Sequence, residues 1–142
     1  MNGTYLILIE VKRNFVKTVG SLGKINFEKG YYCYVGSAMG KSASIENRIL
    51  RHLKKRKKRH WHIDYLTSSK FARVLYVIVF PSKERLEEAA SNFLHDNADK
   101  TIKNFGSTDC KTKGNLHYFK SKSKMKKIIE KLSSYLLTLN KD

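Results

Sequence analysis

Runs of apolar residues, separated by glycine and lysine, divide the chain into elements of alternating period. Tyr5-Leu6-Ile7-Leu8-Ile9, inside residues 3–11, is unbroken and rich in β-formers, which predicts a central strand buried on both faces. Between residues 12 and 30, Val16, Val19, Ile25 and Phe27 sit among Gly20, Gly23 and Gly30, the punctuation of a β-hairpin. The hairpin precedes an aromatic strand, Tyr31-Tyr32-Cys33-Tyr34-Val35, which runs into the small-residue turn Gly36-Ser37-Ala38-Met39-Gly40. From Ser44, residues Ile45, Ile49, Leu50 and Leu53 predict one apolar helix face, with Arg48 and His52 one turn apart along its edge. Residues 60–66 predict a short helix, and residues 71–80, carrying Val74-Leu75-Tyr76-Val77-Ile78-Val79, the strongest strand. Pro81 ends that strand, and Ser82 supplies an N-cap for a helix over residues 83–95 that buries Leu86, Ala89, Ala90, Phe93 and Leu94. Residues 97–115 are irregular, and residues 116–119 predict an edge strand. A last helix, about 123–139, presents Met125, Ile128, Ile129, Leu132 and Leu136 on one face.

With no internal repeat and no linker, 142 residues predict a single domain spanning 1–142. Its class is α+β: a small, mostly antiparallel sheet of the Tyr5, Tyr34 and Val77 strands, flanked by helices and extended by the hairpin. Only the C-terminal end reads as loosely held.

Charge narrows the partner. A formal net charge of +17 costs self-repulsion and asks for a polyanion. Within residues 51–59, seven of nine are Lys or Arg, more than a solvated helix end explains, so nucleic acid is the leading partner. Arg51, Lys54, Lys55, Lys58 and Arg59 are the candidate contacts, joined by His60 and His62. The two histidines diverge on a helix and have no evident third ligand, so core-edge packing around Trp61 ranks above phosphate or base contacts, and both above metal. No stretch approaches the apolar length of a spanning helix, and residues 1–9 lack the flanks of a signal peptide, which leaves a cytoplasmic protein with no membrane partner as the expectation. Cys33 and Cys110 stand far apart without a Cys-x-x-Cys partner, so reduced thiols are favoured over a disulfide.

Gly3-Thr4-Tyr5 and Tyr34-Val35-Gly36, followed by a helix with Arg48 and His52, resemble the GIY-YIG endonuclease superfamily. Residues 30–66, together with Phe105-Gly106-Ser107-Thr108-Asp109-Cys110, are similar to a small prokaryotic branch of it that is sometimes joined to endonuclease III. The likeness covers the chain to about Phe119. It implies phosphodiester hydrolysis by a water positioned near two tyrosines and one divalent cation, with Tyr5 and Tyr34 in the tyrosine roles. A free phenol titrates near 10, so a tyrosine base needs nearby cations or metal to favour its phenolate. Ordinary strand packing is the competing reading of Tyr34.

Arg48 matches the superfamily's helix arginine, whose planar donors suit the non-bridging oxygens of a scissile phosphate. His52 falls where relatives carry His or Tyr; proton transfer, phosphate binding and plain packing at the core edge stay open for it. The metal-binding carboxylate is expected on a later helix, with Glu84, Glu87 and Glu88 as candidates. A helical wheel puts Glu87 at the border of the apolar face, Glu88 away from it, and Glu84 in a first turn facing the helix dipole. Glu87 is the choice, Glu84 the reserve, and Mg²⁺ or Mn²⁺ the matching cation. Asp64 and Asp109 read as acceptors for loop amides.

Three departures stand out: Thr4 replaces the superfamily's Ile, the gap between Tyr5 and Tyr34 is long, and Thr112 and Asn115-Leu116 stand where relatives carry a second Cys and a His-Leu pair. The last removes a Cys/His metal role from that loop. The expected activity is metal-dependent cleavage of DNA, with repair or recombination as its setting. A non-catalytic nucleic-acid-binding module is the alternative.

Overall fold

The computed structural model describes residues 1–40, 44–107 and 112–140. Five antiparallel strands make the sheet, in the order β5-β1-β4-β7-β6. These are β1 (Gly3–Val11), β4 (Gly30–Ala38), β5 (Ala72–Pro81), β6 (Lys100–Ile102) and β7 (Leu116–Phe119). Between β1 and β4, β2 (Phe15–Thr18) and β3 (Lys24–Phe27) form the separate hairpin. Among the described residues, four α-helices complete the fold: α1 (Ile45–Leu53), α2 (His62–Thr67), α3 (Glu87–Asn97) and α4 (Lys122–Leu139).

Strand alternation sorts the core into two layers. Tyr5, Ile7, Ile9, Tyr32 and Tyr34 face one side, against the hairpin's Phe27, Ile45 of α1, and Ile63 and Leu66 of α2. Leu6, Leu8, Cys33 and Val35 face the other, against Leu86, Ala90 and Leu94 beside and on α3 and Met125, Leu132 and Leu136 on α4. The Tyr5–Ile9 run is therefore buried on both faces, as its composition predicts. Thr4 is fully buried too, so the β-branched exchange sits in the core.

Several expectations change. The 116–119 segment is not an edge strand: Lys100–Ile102 pairs along its outer side, and all four of its residues are buried. Leu50 and Leu53 are 61% and 50% exposed; the buried residues of α1 are Ile45 and His52 instead, with Ile49 partly buried between them and Arg48 at the border. α3 starts at Glu87, because the Ser82 hydroxyl accepts from the Glu84 amide in a turn before the helix rather than capping it. Glu87, not Glu84, is thus a first-turn acid at the positive end of the helix dipole. The C-terminal helix is not loose: Ser121 caps it, and five of its side chains are buried against the sheet. Asp109 and Cys110 lie outside the described residues.

Candidate functional site

The site lies where β1 begins and β4 ends. Antiparallel pairing sets Tyr5 directly opposite Gly36, and the Tyr5 ring lies across that glycine. A Cβ on Gly36 would come within 2.5 Å of the ring and hydroxyl, so the glycine of Tyr34-Val35-Gly36 is there to seat the tyrosine. Tyr34, two residues earlier on the same face, packs over Gly106, where a Cβ would approach its ring to 3.1 Å. The next residue along β4, Ser37, turns to the opposite face and reaches α3. One strand end thereby joins both layers.

A cleft of about 590 Å³ opens at this point, and Tyr5, Tyr34, Arg48 and Glu87 all line it. They come from β1, β4, α1 and α3 respectively. Ser37 links the last two: Arg48 Nη1 donates to its carbonyl at 2.6 Å, and its hydroxyl donates to Glu87 Oε1 at 2.5 Å. The other Glu87 oxygen accepts from Asn115 Nδ2 at 3.1 Å, and Asn115 is itself buried and also donates to the Gly106 carbonyl. The carboxylate is thus half-buried and held on both oxygens, with its free lone pairs available to the cleft. Glu88 also lines the cleft, whereas Glu84 is exposed outside it. Ser37 and Asn115 were not singled out in the sequence as site residues; only their position beside the motif glycine and in the His-Leu place hinted at them.

His52 is fully buried and does not reach the cleft. It reaches the site through its neighbours, by a hydrogen bond of 2.9 Å between Nε2 and the Tyr5 hydroxyl and by ring contacts with Tyr34 and Trp61; a direct phosphate contact from His52 is sterically closed. Nδ1 has no hydrogen-bond partner among the described residues. Burial pushes the imidazole down to about 4, and it pushes the Tyr5 phenol up to about 12 against the opposing pull of Arg48. Tyr34 is also raised, first by burial and then by the neighbouring Tyr5 and acids. Among the described residues Arg48 is the one nearby cation that favours either phenolate, and it does not offset burial. Burial therefore favours the protonated form of both phenols.

Trp61 packs beside this group. Its ring lies 5.3 Å from the Arg48 guanidinium carbon, 4.4 Å from that of Arg51, and 5.5 Å from the His52 ring centre. Arg51 is not free for a nucleic acid: Nη1 and Nη2 grip both oxygens of Asp64 at 2.9 and 2.8 Å. Asp64 has no exposed surface, and it also accepts from the His60 and Trp61 amides, the loop-amide role expected of it. Burial alone would raise this carboxyl, but the Arg51 and amide hydrogen bonds outweigh it and hold it below the usual carboxylate range.

The basic run follows α1 as a connecting strap rather than extending the helix. Lys55 Nζ caps the carbonyls of Ser69 and Ala72, and Lys57 Nζ caps those of Arg51 and His52 at the helix end. Lys54, Lys58 and Arg59 remain solvent-facing, Arg59 over the Tyr65 ring. His60 and His62 line the cleft, with His62 Nδ1 accepting from the Gly106 amide. Among the described residues, no three His, Cys, Asp or Glu side chains cluster as a metal would need. Glu87 suits a different arrangement, a hard cation held by one carboxylate, water and substrate oxygens.

The family model for DUF123, a domain of unknown function, matches residues 4–138. The chain belongs to the DUF123 family. No curated protein and no solved structure matches it. The match takes in every element of the cleft, from β1 to α3, and nearly all of α4. Among the described residues of this DUF123 domain, no helix is long and apolar enough to cross a membrane.

Buried, neutral histidines give the DUF123 domain an acid-sensitive stability. His117, fully buried between Ser91 and Thr101, is pushed down to about 3 by burial. In the unfolded chain both His52 and His117 take up a proton below about pH 6.5, while the folded chain refuses one until far lower. Stability is therefore retained above pH 6.5 and lost as pH falls toward 4, by about 1.4 kcal/mol per pH unit for each histidine. Urea unfolding at pH 7.5 and pH 5 should show a clear drop in midpoint at the lower pH. Equal midpoints would mean that neither imidazole is held neutral.

Proposed function

We propose that this DUF123 domain is a metal-dependent nuclease of GIY-YIG type that hydrolyses phosphodiester bonds in DNA, in a cytoplasmic setting of repair or recombination. The observation that carries the reading is the convergence of Tyr5, Tyr34, Arg48 and Glu87, drawn from two strands and two helices, on one cleft. The positive charge favours a polyanionic partner. In this reading Glu87 holds Mg²⁺ or Mn²⁺, oriented by Ser37 and Asn115; the bound cation supplies charge neutralisation at the phosphate. Arg48, kept in place by the Ser37 carbonyl and the Trp61 ring, binds the non-bridging oxygens and the charge that builds on them.

Tyr5 orients the attacking water. Its phenol is too weak an acid to sit as a phenolate, and buried His52 is too weak a base to take its proton, so the hydroxyl, fixed by its hydrogen bond to His52 Nε2, acts by positioning the water. Tyr34 donates a hydrogen bond into the cleft and narrows it. The test is nicking of supercoiled plasmid by the purified chain as Mg²⁺ or Mn²⁺ is titrated. Nicked circles that appear with the metal and vanish with a chelator support the reading; DNA binding without nicking supports the non-catalytic module.

Binding has its own signature. Lys54 and Lys58 face solvent, whereas Lys55 is spent on carbonyls. Replacing Lys54 and Lys58 by Ala should flatten the dependence of log affinity on log salt by about 0.9 per lost phosphate contact. An unchanged slope would place the duplex elsewhere on the surface.

A further inference from the structure

Arg85 lies between β5 and α3, flanked in sequence by Glu84, Glu87 and Glu88. It nevertheless forms no ion pair among the described residues. Its side chain is exposed and lines the cleft, and among the described residues its one hydrogen bond is a long one, Nη1 to the Ser37 hydroxyl at 3.3 Å. Arg51 and Arg73, by contrast, are each paired with a carboxylate. A guanidinium left without a counter-charge beside three acids, aimed at an open cleft, is poised for an anion from outside.

The position is specific. Arg48 reaches Ser37 through the carbonyl oxygen, and Arg85 reaches the same residue through the hydroxyl. The two guanidiniums therefore share a single serine through different oxygens, with the Glu87 carboxylate bonded to that serine too. Resting on the proposed nuclease reading, we infer that Arg85 forms a second phosphate subsite, holding the backbone phosphate adjacent to the one bound by Arg48. The cleft then takes two successive phosphates of one strand, and Arg85 fixes the direction in which that strand runs past Glu87. Binding draws Arg85 off the Ser37 hydroxyl, which keeps its donation to Glu87 and so leaves the carboxylate in place.

The test needs no catalysis. A duplex series in which one phosphodiester at a time is a neutral methylphosphonate is bound to the full chain in chelator, for wild type, Arg85→Ala and Arg85→Lys. Arg85 is exposed and lightly bonded, so both variants should fold. At one position next to the site, neutralisation should weaken wild type several-fold, weaken Arg85→Ala no further, and weaken Arg85→Lys by an intermediate amount. At all other positions the three proteins should lose affinity equally. Equal losses in wild type and Arg85→Ala at every position, with binding and nicking intact, overturn the second subsite and leave the nuclease reading standing. Absence of binding by wild type to any duplex, flap or junction overturns both.

Discussion

Replacing Arg48 by Ala or Glu87 by Gln should reduce nicking by about 100-fold or more while changing DNA affinity only a few-fold. In the proposed reaction both groups act on charge that grows in the transition state, so the loss would fall on the chemical step and not on ground-state binding. Glu87→Gln is nearly isosteric and keeps one acceptor oxygen for the Ser37 hydroxyl or the Asn115 amide. The fold should survive it. Excess Mn²⁺ should restore part of the Glu87→Gln activity by filling a weakened site, and restore little to Arg48→Ala, whose missing donors no cation at Glu87 replaces. Nicking and equilibrium binding, measured side by side for each variant, check this; parallel losses in both would make Arg48 and Glu87 binding residues.

Arg51→Met should destabilise the fold by about 3–5 kcal/mol, because it strands a fully buried carboxylate. That is a large share of the roughly 5–15 kcal/mol typical of a domain. Asp64 would keep its two amide donors, and its carboxyl would titrate higher in the folded variant, so the loss should shrink as pH falls through that raised value. Arg51 also contacts the Trp61 ring and donates to the Lys58 carbonyl, so the strap after α1 should loosen with it. Thermal and urea unfolding measure the effect. A loss under about 1 kcal/mol would reduce the pair to an ordinary surface bridge.

The strands and helices were legible where one physical signal dominated. An unbroken apolar run such as Tyr5–Ile9 has no stable place except between two layers, and the spacing of Met125, Ile128, Ile129, Leu132 and Leu136 has none except a helix face. The short strand Lys100–Ile102 carried no such signal. Three residues give no period, and its existence depends on the exposed edge of β7. On α1 the wheel misled, because it ranks side chains by hydropathy, whereas a hydrogen bond to Tyr5 and the Trp61 ring make His52 a better core residue than Leu50.

The candidate site was legible in its named residues and not in its supports. Tyr5, Tyr34, Arg48 and Glu87 stand in patterns that single them out, and they do share a cleft. Ser37 and Asn115 are short polar residues whose value comes from where β4 ends and where α3 begins, which no local pattern encodes. The same holds for the basic run. Composition counts seven cations, but only tertiary contact reveals that Arg51, Lys55 and Lys57 are consumed by internal acceptors.

Whether the four side chains work as one hydrolytic unit is tested most directly by single-turnover nicking at saturating protein, with Arg48→Ala, Glu87→Gln and the double variant compared with wild type. Residues acting on one transition state lose activity non-additively, so the double variant should fall little below the worse single variant. A double variant that loses the full product of the two single effects would contradict a shared site, and a wild type that never nicks would contradict the enzyme itself.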